Sequence, residues 1–245
     1  MTEVPLEWPS VQRIVRVARA LGNLSNEVVF IGGAIAPLLQ QNPPFDSPRP
    51  TKDADAVTAS AKYADLEKLN VALRDLKFRH DLSETNHIHR WRSPDGDILD
   101  LVPAGQHPGG SGQLWDQLAL ETSQTVTLAD GTTFRHASAP AFLALKWAAY
   151  DDRGASDPFG SHDLEDILAL LAARPSLVAE VEKAPREIRK FVGEKSSLLL
   201  GLGDFDDLVA AHLNNAQDAF RVIQRVRETL VLLAGQDPAK NAPTL

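Results

Sequence analysis

Val28-Val29-Phe30-Ile31-Gly32-Gly33 places four apolar residues directly before two glycines. This stretch predicts a buried strand that enters a tight turn. Residues 34–41 follow with helical spacing, and residues 42–50 contain four prolines, which predicts an irregular loop. Residues 53–58, Asp-Ala-Asp-Ala-Val-Thr, then alternate polar and small or apolar side chains. This alternation predicts a second strand.

The flanking segments extend these two strands into an α+β fold. Residues 10–21 carry apolar side chains at three-to-four spacing, which predicts an amphipathic helix with Ser10 as its N-cap. Residues 61–76 return to the same spacing. Two Asp-Gly turns, Asp95-Gly96 and Asp130-Gly131, each predict a hairpin. The four strands of these hairpins are 87–92, 97–102, 125–128 and 132–136, with a Gly/Pro-rich loop at 103–112.

Strand patterns end near residue 136, and only helical patterns follow. They cover roughly 139–151, 161–173, 176–198, 204–213 and 215–234. We therefore expect two domains. Residues 1–136 would form a small mixed sheet with flanking helices, and residues 137–245 an all-α domain.

Composition favours a soluble globular protein of the cytoplasm, with 43% hydrophobic and 24% charged residues. The chain has no cysteine, which excludes disulfides, zinc–thiolate sites and cysteine nucleophiles. Its start lacks the features of a signal peptide, and no apolar run approaches the ~20 residues of a membrane span. The 25 lysines and arginines against 33 aspartates and glutamates give a net charge of −8. This charge argues against non-specific DNA binding.

Asp53 and Asp55 are the first candidates for chemistry. Two positions apart on a strand, they share one face with Cα atoms about 6.6 Å apart. Facing carboxylates repel each other, and Mg²⁺ prefers such oxygen ligands. Of the three Asp-x-Asp triplets in the chain, only this one follows an apolar strand, a glycine turn and a helix. Gly32 and Gly33 would let a phosphate approach the main chain and the helix N-terminus, or would simply form a tight turn.

Asp100 is the third candidate acid, because it lies inside the apolar strand 98–102. If that strand is next to the strand that carries Asp53 and Asp55, the two strands are about 4.8 Å apart. Three carboxylates can bridge two Mg²⁺ ions roughly 3.5–4 Å apart, as phosphoryl transfer requires. The alternative is a structural ion pair with Lys52, Arg90 or Arg92.

Lys146, Arg153, Asp163 and Asp166 lie on the first predicted helices after residue 139. The two aspartates are three residues apart and share a helix face. A lysine and an arginine that face an acidic metal site would neutralise the charge of a triphosphate. The alternative is a solvated helix pair with ordinary salt bridges.

Two segments, Phe30-Ile31-Gly32-Gly33 and Arg49-Pro50-Thr51-Lys52-Asp53-Ala54-Asp55-Ala56, resemble the signature of the nucleotidyltransferase superfamily. With Lys146…Arg153…Asp163-x-x-Asp166 they are similar to its AbiEii-type toxin branch, which includes type IV toxin–antitoxin and MenT-like proteins. The resemblance covers about residues 27–173. The chain departs from the family in the 20-residue gap from Gly33 to Asp53, and in Ser161-His162 where many relatives have a lysine before the aspartate.

The resemblance implies a nucleotidyltransferase fold and transfer of a nucleoside monophosphate from a nucleoside triphosphate to an acceptor hydroxyl. The acceptor would be RNA, a protein or a small molecule, and a cognate antitoxin would be a partner. Asp53, Asp55 and Asp100 would bind two Mg²⁺ ions and act in catalysis together with Lys146. The implied nucleotide contacts are Gly32, Gly33, Thr51, Lys52, Lys146, Arg153, Asp163 and Asp166, with the helical domain completing the cleft.

Two other functions are compatible with the same residues. One is a catalytically degenerate nucleotide-binding or regulatory protein, and the other is an aminoglycoside-type small-molecule nucleotidyltransferase. His87 and His89 share a strand face and are either surface residues or metal ligands. Basic residues cluster at Arg186, Arg189, Lys190 and Lys195, and again at Arg221 and Arg225. These clusters predict solvated helix faces or contacts to RNA.

Overall fold

The computed structural model describes residues 5–43, 49–59, 63–81, 89–104, 112–213 and 218–236. These residues form a mixed α+β fold with one seven-stranded sheet. Packing divides the chain into two units. The first falls within Met1–Leu38 and Pro48–Ser138, and the second within Leu39–Ser47 and Ala139–Leu245.

The first unit contains the sheet. The strands are β1 (Val28–Ile31), β2 (Asp53–Thr58), β3 (Arg79–His80), β4 (Arg90–Arg92), β5 (Ile98–Pro103), β6 (Gln124–Thr127) and β7 (Thr133–His136). The first four helices are α1 (Pro9–Leu21), α2 (Ala36–Leu39), α3 (Tyr63–Asp75) and α4 (Gly112–Glu121). The strand order is β3-β4-β5-β2-β1-β7-β6. β2 is central, antiparallel to β1 and parallel to β5.

The core of the first unit forms where β1 lies between β2 and β7. All four residues of β1 are buried, as its continuous apolar sequence predicts. Phe30 on β1 and Phe134 on β7 meet edge to face, with ring centroids 5.9 Å apart and planes at 87°. Because both side chains are fully buried, this aromatic pair anchors the centre of the sheet.

Several sequence expectations need correction. The N-cap position of α1 is occupied by Trp8 rather than Ser10, without a side-chain capping hydrogen bond, because Pro9 begins the helix. Ser10 is buried in the first turn. The predicted helix 34–41 is a 3₁₀ turn, Gly33–Ile35, followed by the short α2. Sequence analysis missed α4 and β3. β3 has two exposed residues and therefore shows no alternation to detect.

The second unit contains six further helices and no strand among its described residues. They are α5 (Ala139–Ala149), α6 (His162–Ala173), α7 (Leu177–Lys183), α8 (Arg186–Leu200), α9 (Phe205–His212) and α10 (Ala219–Leu233). The single predicted helix 176–198 is divided into α7 and α8 because Ala184 and Pro185 are extended. In the described part of the chain, every helix is too short or too polar to span a lipid bilayer.

The end of α2 and the residues after it are hydrogen-bonded to the second unit. The amides of Gln41 and Asn42 both donate to the carbonyl of Ala173, at 3.0 and 2.8 Å. The Nη1 atom of Arg174 donates to the carbonyl of Leu39 at 2.6 Å. These bonds tie the start of the predicted proline-rich loop to the end of α6.

Phe134→Ala tests the anchoring role of the aromatic pair. The substitution leaves a cavity beside Phe30, and we expect the free energy of unfolding to fall by about 3–5 kcal/mol. Urea denaturation followed by circular dichroism measures this change. Phe220→Ala is the control because Phe220 is 70% exposed, and it should change stability by less than about 0.5 kcal/mol. Equal effects of the two substitutions would contradict the assignment.

Candidate functional site

Asp53, Asp55 and Asp100 lie on one face of the sheet, and we call them the acidic row. Asp55 is directly opposite Asp100 in the parallel pairing of β2 with β5, and Asp53 precedes Asp55 by two residues. Paired positions, and positions two apart on one strand, project to the same face. The structure therefore brings together the three acids that the sequence singled out.

Arg90 joins the acidic row from β4, where it is paired with Asp100 across the antiparallel β4–β5 hairpin. Its Nε donates to Oδ1 of Asp100 at 2.8 Å and its Nη2 donates to Oδ2 at 2.7 Å. The same Nη2 lies 3.5 Å from Oδ2 of Asp53. Of the alternatives for Asp100, the structure thus forms the ion pair with Arg90, in the bidentate geometry that arginine favours.

Gly32 contacts the acidic row from the end of β1. Its φ of 71° lies in the left-handed region, and a Cβ atom there would come within 2.0 Å of Oδ2 of Asp55. Only glycine fits both the conformation and the space. The main chain of the glycine turn therefore touches the Asp55 carboxylate. Because α2 has only four residues, it does not supply the helix N-terminus that was expected beside the glycine turn.

Two arginines of α1 hold the segments that lead into the acidic row. Nη1 of Arg13 donates to the carbonyl of Thr51 at 2.6 Å, directly before the exposed Lys52. Arg16 donates from Nε and Nη2 to both oxygens of Asp97, each at 2.7 Å. Hydrogen bonding to Asp97 raises the pKa of Arg16. Sequence analysis missed both arginines, whose only signal was their spacing on the polar face of α1.

Asp53 and Asp55 are the part of the row that fits a divalent cation. Their oxygens are the donors that Mg²⁺ prefers, and Gly32 leaves room for the Asp55 carboxylate. Both oxygens of Asp100 accept short hydrogen bonds from Arg90, whose Nη2 is farther from Asp53, at 3.5 Å. Across the residues that the structure describes, no three His, Cys, Asp or Glu side chains form a ready-made metal cluster.

His89 lies on the opposite side of the sheet from the acidic row. It lines a cavity of about 290 Å³ between α3 and the strands β3, β4 and β5. The cavity has a mainly apolar wall that includes Leu69, Leu73, Trp91 and Leu101. His87, the predicted partner of His89, lies outside the described residues.

In the second unit, Lys146, Arg153, Asp163 and Asp166 form one group, which we call the helical charge cluster. Nζ of Lys146 lies 3.0 Å from Oδ1 of Asp163 and 2.6 Å from Oδ2 of Asp166. Arg153 donates to both oxygens of Asp163, at 2.8 and 3.1 Å, from the π-helical turn that follows α5. The four residues predicted to act together do meet, and the Lys146 ammonium is held by two carboxylates of α6.

Burial and pairing act in opposite directions on the helical charge cluster. Burial lowers the pKa of Lys146, but the charges of Asp166 and Asp163 outweigh it, so the pKa lies above its ordinary value. Burial raises the pKa of Asp163, but Lys146 and Arg153 outweigh it, so this pKa is lowered. All three side chains of the inner group, Lys146, Asp163 and Asp166, are less than a tenth exposed. Both shifts favour the charged forms of Lys146 and Asp163 inside the unit.

Five of the six basic residues named in the two clusters of α8 and α10 have contacts within the second unit. The contacts are Arg189 to the Glu182 carbonyl, Lys190 to Glu194, Lys195 to Asp151, Arg221 to Asp218, and Arg225 to the Ala172 carbonyl. Such local pairing is typical of a solvated helix face.

Gly32→Ala tests the contact between the glycine turn and the acidic row. The control is Gly131→Ala, because Gly131 has a φ of 83° but nothing within 4 Å of an added Cβ. Gly131→Ala should cost about 1–2 kcal/mol of unfolding free energy from backbone strain alone. Gly32→Ala should cost clearly more, and Asp55→Ala should remove most of the excess. An excess that persists in the double variant would contradict the contact.

Lys146→Met tests the helical charge cluster. Because it leaves two buried carboxylates without their shared cation, we expect a loss of about 3–5 kcal/mol at neutral pH. The control, Lys190→Met, removes an ammonium that is 72% exposed and should cost less than about 0.5 kcal/mol. Urea denaturation measures both.

The effect of Lys146→Met also has a defined pH dependence. The lowered pKa of Asp163 stabilises the fold above its unfolded value of about 3.9, and that stabilisation is lost as the pH falls through the folded pKa. The raised pKa of Lys146 stabilises the fold below about 10.4, and that stabilisation is lost at higher pH. The difference between parent and variant should therefore shrink in acid and in strong base. A constant difference would argue against a charge effect.

Comparisons with known proteins identify no family. No protein-family model matches the chain, and neither does any curated protein. A solved structure, the crystal structure of JHP933 from Helicobacter pylori, aligns with a TM-score of 0.44 and 14% sequence identity over 92% of each chain. The functional conclusion therefore rests on the residues of this chain alone.

Proposed function

We propose that this chain is a Mg²⁺-dependent nucleotidyltransferase that moves a nucleoside monophosphate from a nucleoside triphosphate to an acceptor hydroxyl. The observation that carries the proposal is the contact of Gly32 with the Asp55 carboxylate, beside Asp53 on the same strand face. It joins a main-chain turn that phosphate can approach to a carboxylate pair suited to a hard cation. A metal–triphosphate needs both features in one place.

The candidate site residues of the first unit have different roles in this proposal. Asp53 and Asp55 would hold Mg²⁺, which when bound supplies positive charge to the phosphates. Amides of Gly32 and Gly33 would contact the phosphate oxygens. Lys52 is exposed directly before β2, where its ammonium can meet a phosphate.

The reaction forms one bond and breaks one. The acceptor hydroxyl oxygen bonds to the α-phosphorus, the bond from that phosphorus to the bridging oxygen breaks, and pyrophosphate leaves. The hydroxyl proton passes to solvent. In this scheme the chain binds and orients the triphosphate, which is where most catalysis of phosphoryl transfer arises.

In the helical charge cluster, the geometry favours Arg153 over Lys146 as the nucleotide contact. The Arg153 side chain is 66% exposed, whereas that of Lys146 is 9% exposed and bonded to two carboxylates. Lys146 and Asp163 would then position the Arg153 guanidinium. The family resemblance supplies two further parts of the proposal. The acceptor would be RNA, a protein or a small molecule, and an antitoxin would be a partner.

One observation favours the alternative of a nucleotide-binding protein without turnover. Asp100, the third acid, is bonded through both oxygens to Arg90 and in this arrangement does not face a cation site of its own. A protein that only binds would keep the glycine turn and the Asp53–Asp55 pair. It would need no third carboxylate for the acceptor.

Incubation with each α-labelled triphosphate, Mg²⁺ and total cell RNA or protein tests transfer directly. We expect one acceptor to become labelled. Asp53→Asn with Asp55→Asn should reduce labelling at least about 100-fold, or about 2.7 kcal/mol in the barrier. Asp204→Asn with Asp206→Asn is the matched control, since it removes the same charge from another Asp-x-Asp triplet at the start of α9.

The outcomes separate the two functions. Equal labelling by the parent and the Asp53/Asp55 variant would overturn the nucleotidyltransferase assignment. Saturable triphosphate binding that needs Asp53 and Asp55, without any transfer, would establish the binding protein instead.

A further inference from the structure

Arg90 occupies a defined position in the acidic row. Strand register places Arg90, Asp100 and Asp55 side by side on three neighbouring strands, β4, β5 and β2. The guanidinium bonds both oxygens of Asp100 and lies 3.5 Å from Asp53. One arginine thus bridges two of the three carboxylates.

Burial makes this cation a permanent part of the row. The Arg90 side chain is 11% exposed and that of Asp100 is 15% exposed, whereas Asp53 is 34% exposed. A guanidinium does not lose its proton in proteins. Because it is planar and matches the carboxylate in a bidentate pair, its charge stays at the Asp100 end of the row.

A metal ion at Asp100 would face two obstacles. Arg90 already donates to both of the carboxylate oxygens, and its positive charge repels a divalent cation at close range. By strand position, Asp55 lies one strand farther from Arg90 than Asp100 does, and it contacts the main chain of Gly32. Asp100 is therefore the acid of the row that is least suited to a metal ion.

We infer that Arg90 stands in the place of a second metal ion, so that the acidic row holds one divalent cation, on Asp53 and Asp55, rather than two. The inference rests on the proposed function for the existence of that cation, and it changes the role expected for Asp100. Asp100 is then a positioning residue that fixes Arg90. Arg90 in turn holds Asp53 from the side and balances the charge of the row.

Counting bound Mn²⁺ by electron paramagnetic resonance tests this inference without any turnover. An Mn²⁺ ion is counted as bound to the acidic row if it is lost when Asp53→Asn and Asp55→Asn are introduced together. The parent should bind one such ion, and Arg90→Gln should bind two because it frees the Asp100 carboxylate. Arg92→Gln is the matched control, since it removes a guanidinium from the same strand that pairs with Asp81 instead, and it should bind one.

Asp100→Asn supplies a second measurement that does not depend on the stability of the Arg90 variant. With Arg90 in the metal's place, Asp100→Asn should still bind one ion, with an affinity within about threefold of the parent, since threefold is less than 1 kcal/mol. In a two-metal row the same substitution would remove an ion. Thermal melting followed by circular dichroism shows that each variant is folded.

Three possible results overturn different statements. A count of two ions, or a count of one in both the parent and Arg90→Gln, overturns the role of Arg90 and leaves the nucleotidyltransferase proposal standing. A parent that loses no Mn²⁺ when Asp53 and Asp55 are replaced overturns the metal site and the proposed function with it.

Discussion

The parallel pairing of β2 with β5 is the constraint on which the first unit depends. It sets Asp55 opposite Asp100, on strands about 4.8 Å apart. Carboxylates at that separation repel each other unless a cation lies near them. The next strand, β4, supplies a positive charge, because the β4–β5 hairpin sets Arg90 opposite Asp100. The sheet thus brings two carboxylates together and places the Arg90 guanidinium beside one of them, Asp100.

At the other end of the row, main chain contacts the Asp55 carboxylate. β1 lies on the far side of β2, and its register sets Ile31 opposite Asp55, so that Gly32 reaches the carboxylate. A glycine is needed there because any Cβ atom would overlap with the Asp55 oxygen. The acidic row therefore has a guanidinium beside Asp100 and the main chain of Gly32 beside Asp55.

The helical charge cluster solves a similar problem in a different way. Asp163 and Asp166 are also close together, but Lys146 is buried between them and Arg153 covers Asp163. Their side chains are about 5% exposed, compared with 34% for Asp53 in the sheet. A closed cluster of this kind holds helices α5 and α6 in one arrangement, and breaking it leaves buried charge without a partner. The acidic row, which is more exposed, is the better candidate for a ligand site.

Local sequence was sufficient to predict the strands and helices whose hydrophobic pattern is complete within a few residues. The apolar run before Gly32 predicted β1, the alternation from Asp53 predicted β2, and helical spacing predicted most of the segments after residue 139. The three acids and the helical charge cluster were also recognisable as groups. Pattern failed at β3, whose two residues are too few to show a period, and at Ser10, where the adjacent proline determined the cap.

Only the tertiary structure decided which charge meets which. Lys52, Arg90 and Arg92 were equivalent partners for Asp100 in the sequence, and strand register selected Arg90. Lys146 likewise was expected either to face a triphosphate or to form ordinary salt bridges, and the packing of α6 against α5 pairs it with Asp163 and Asp166. The reason is that helix and strand periods act between near neighbours in the chain, whereas an ion pair depends on the alignment of segments that are distant in sequence.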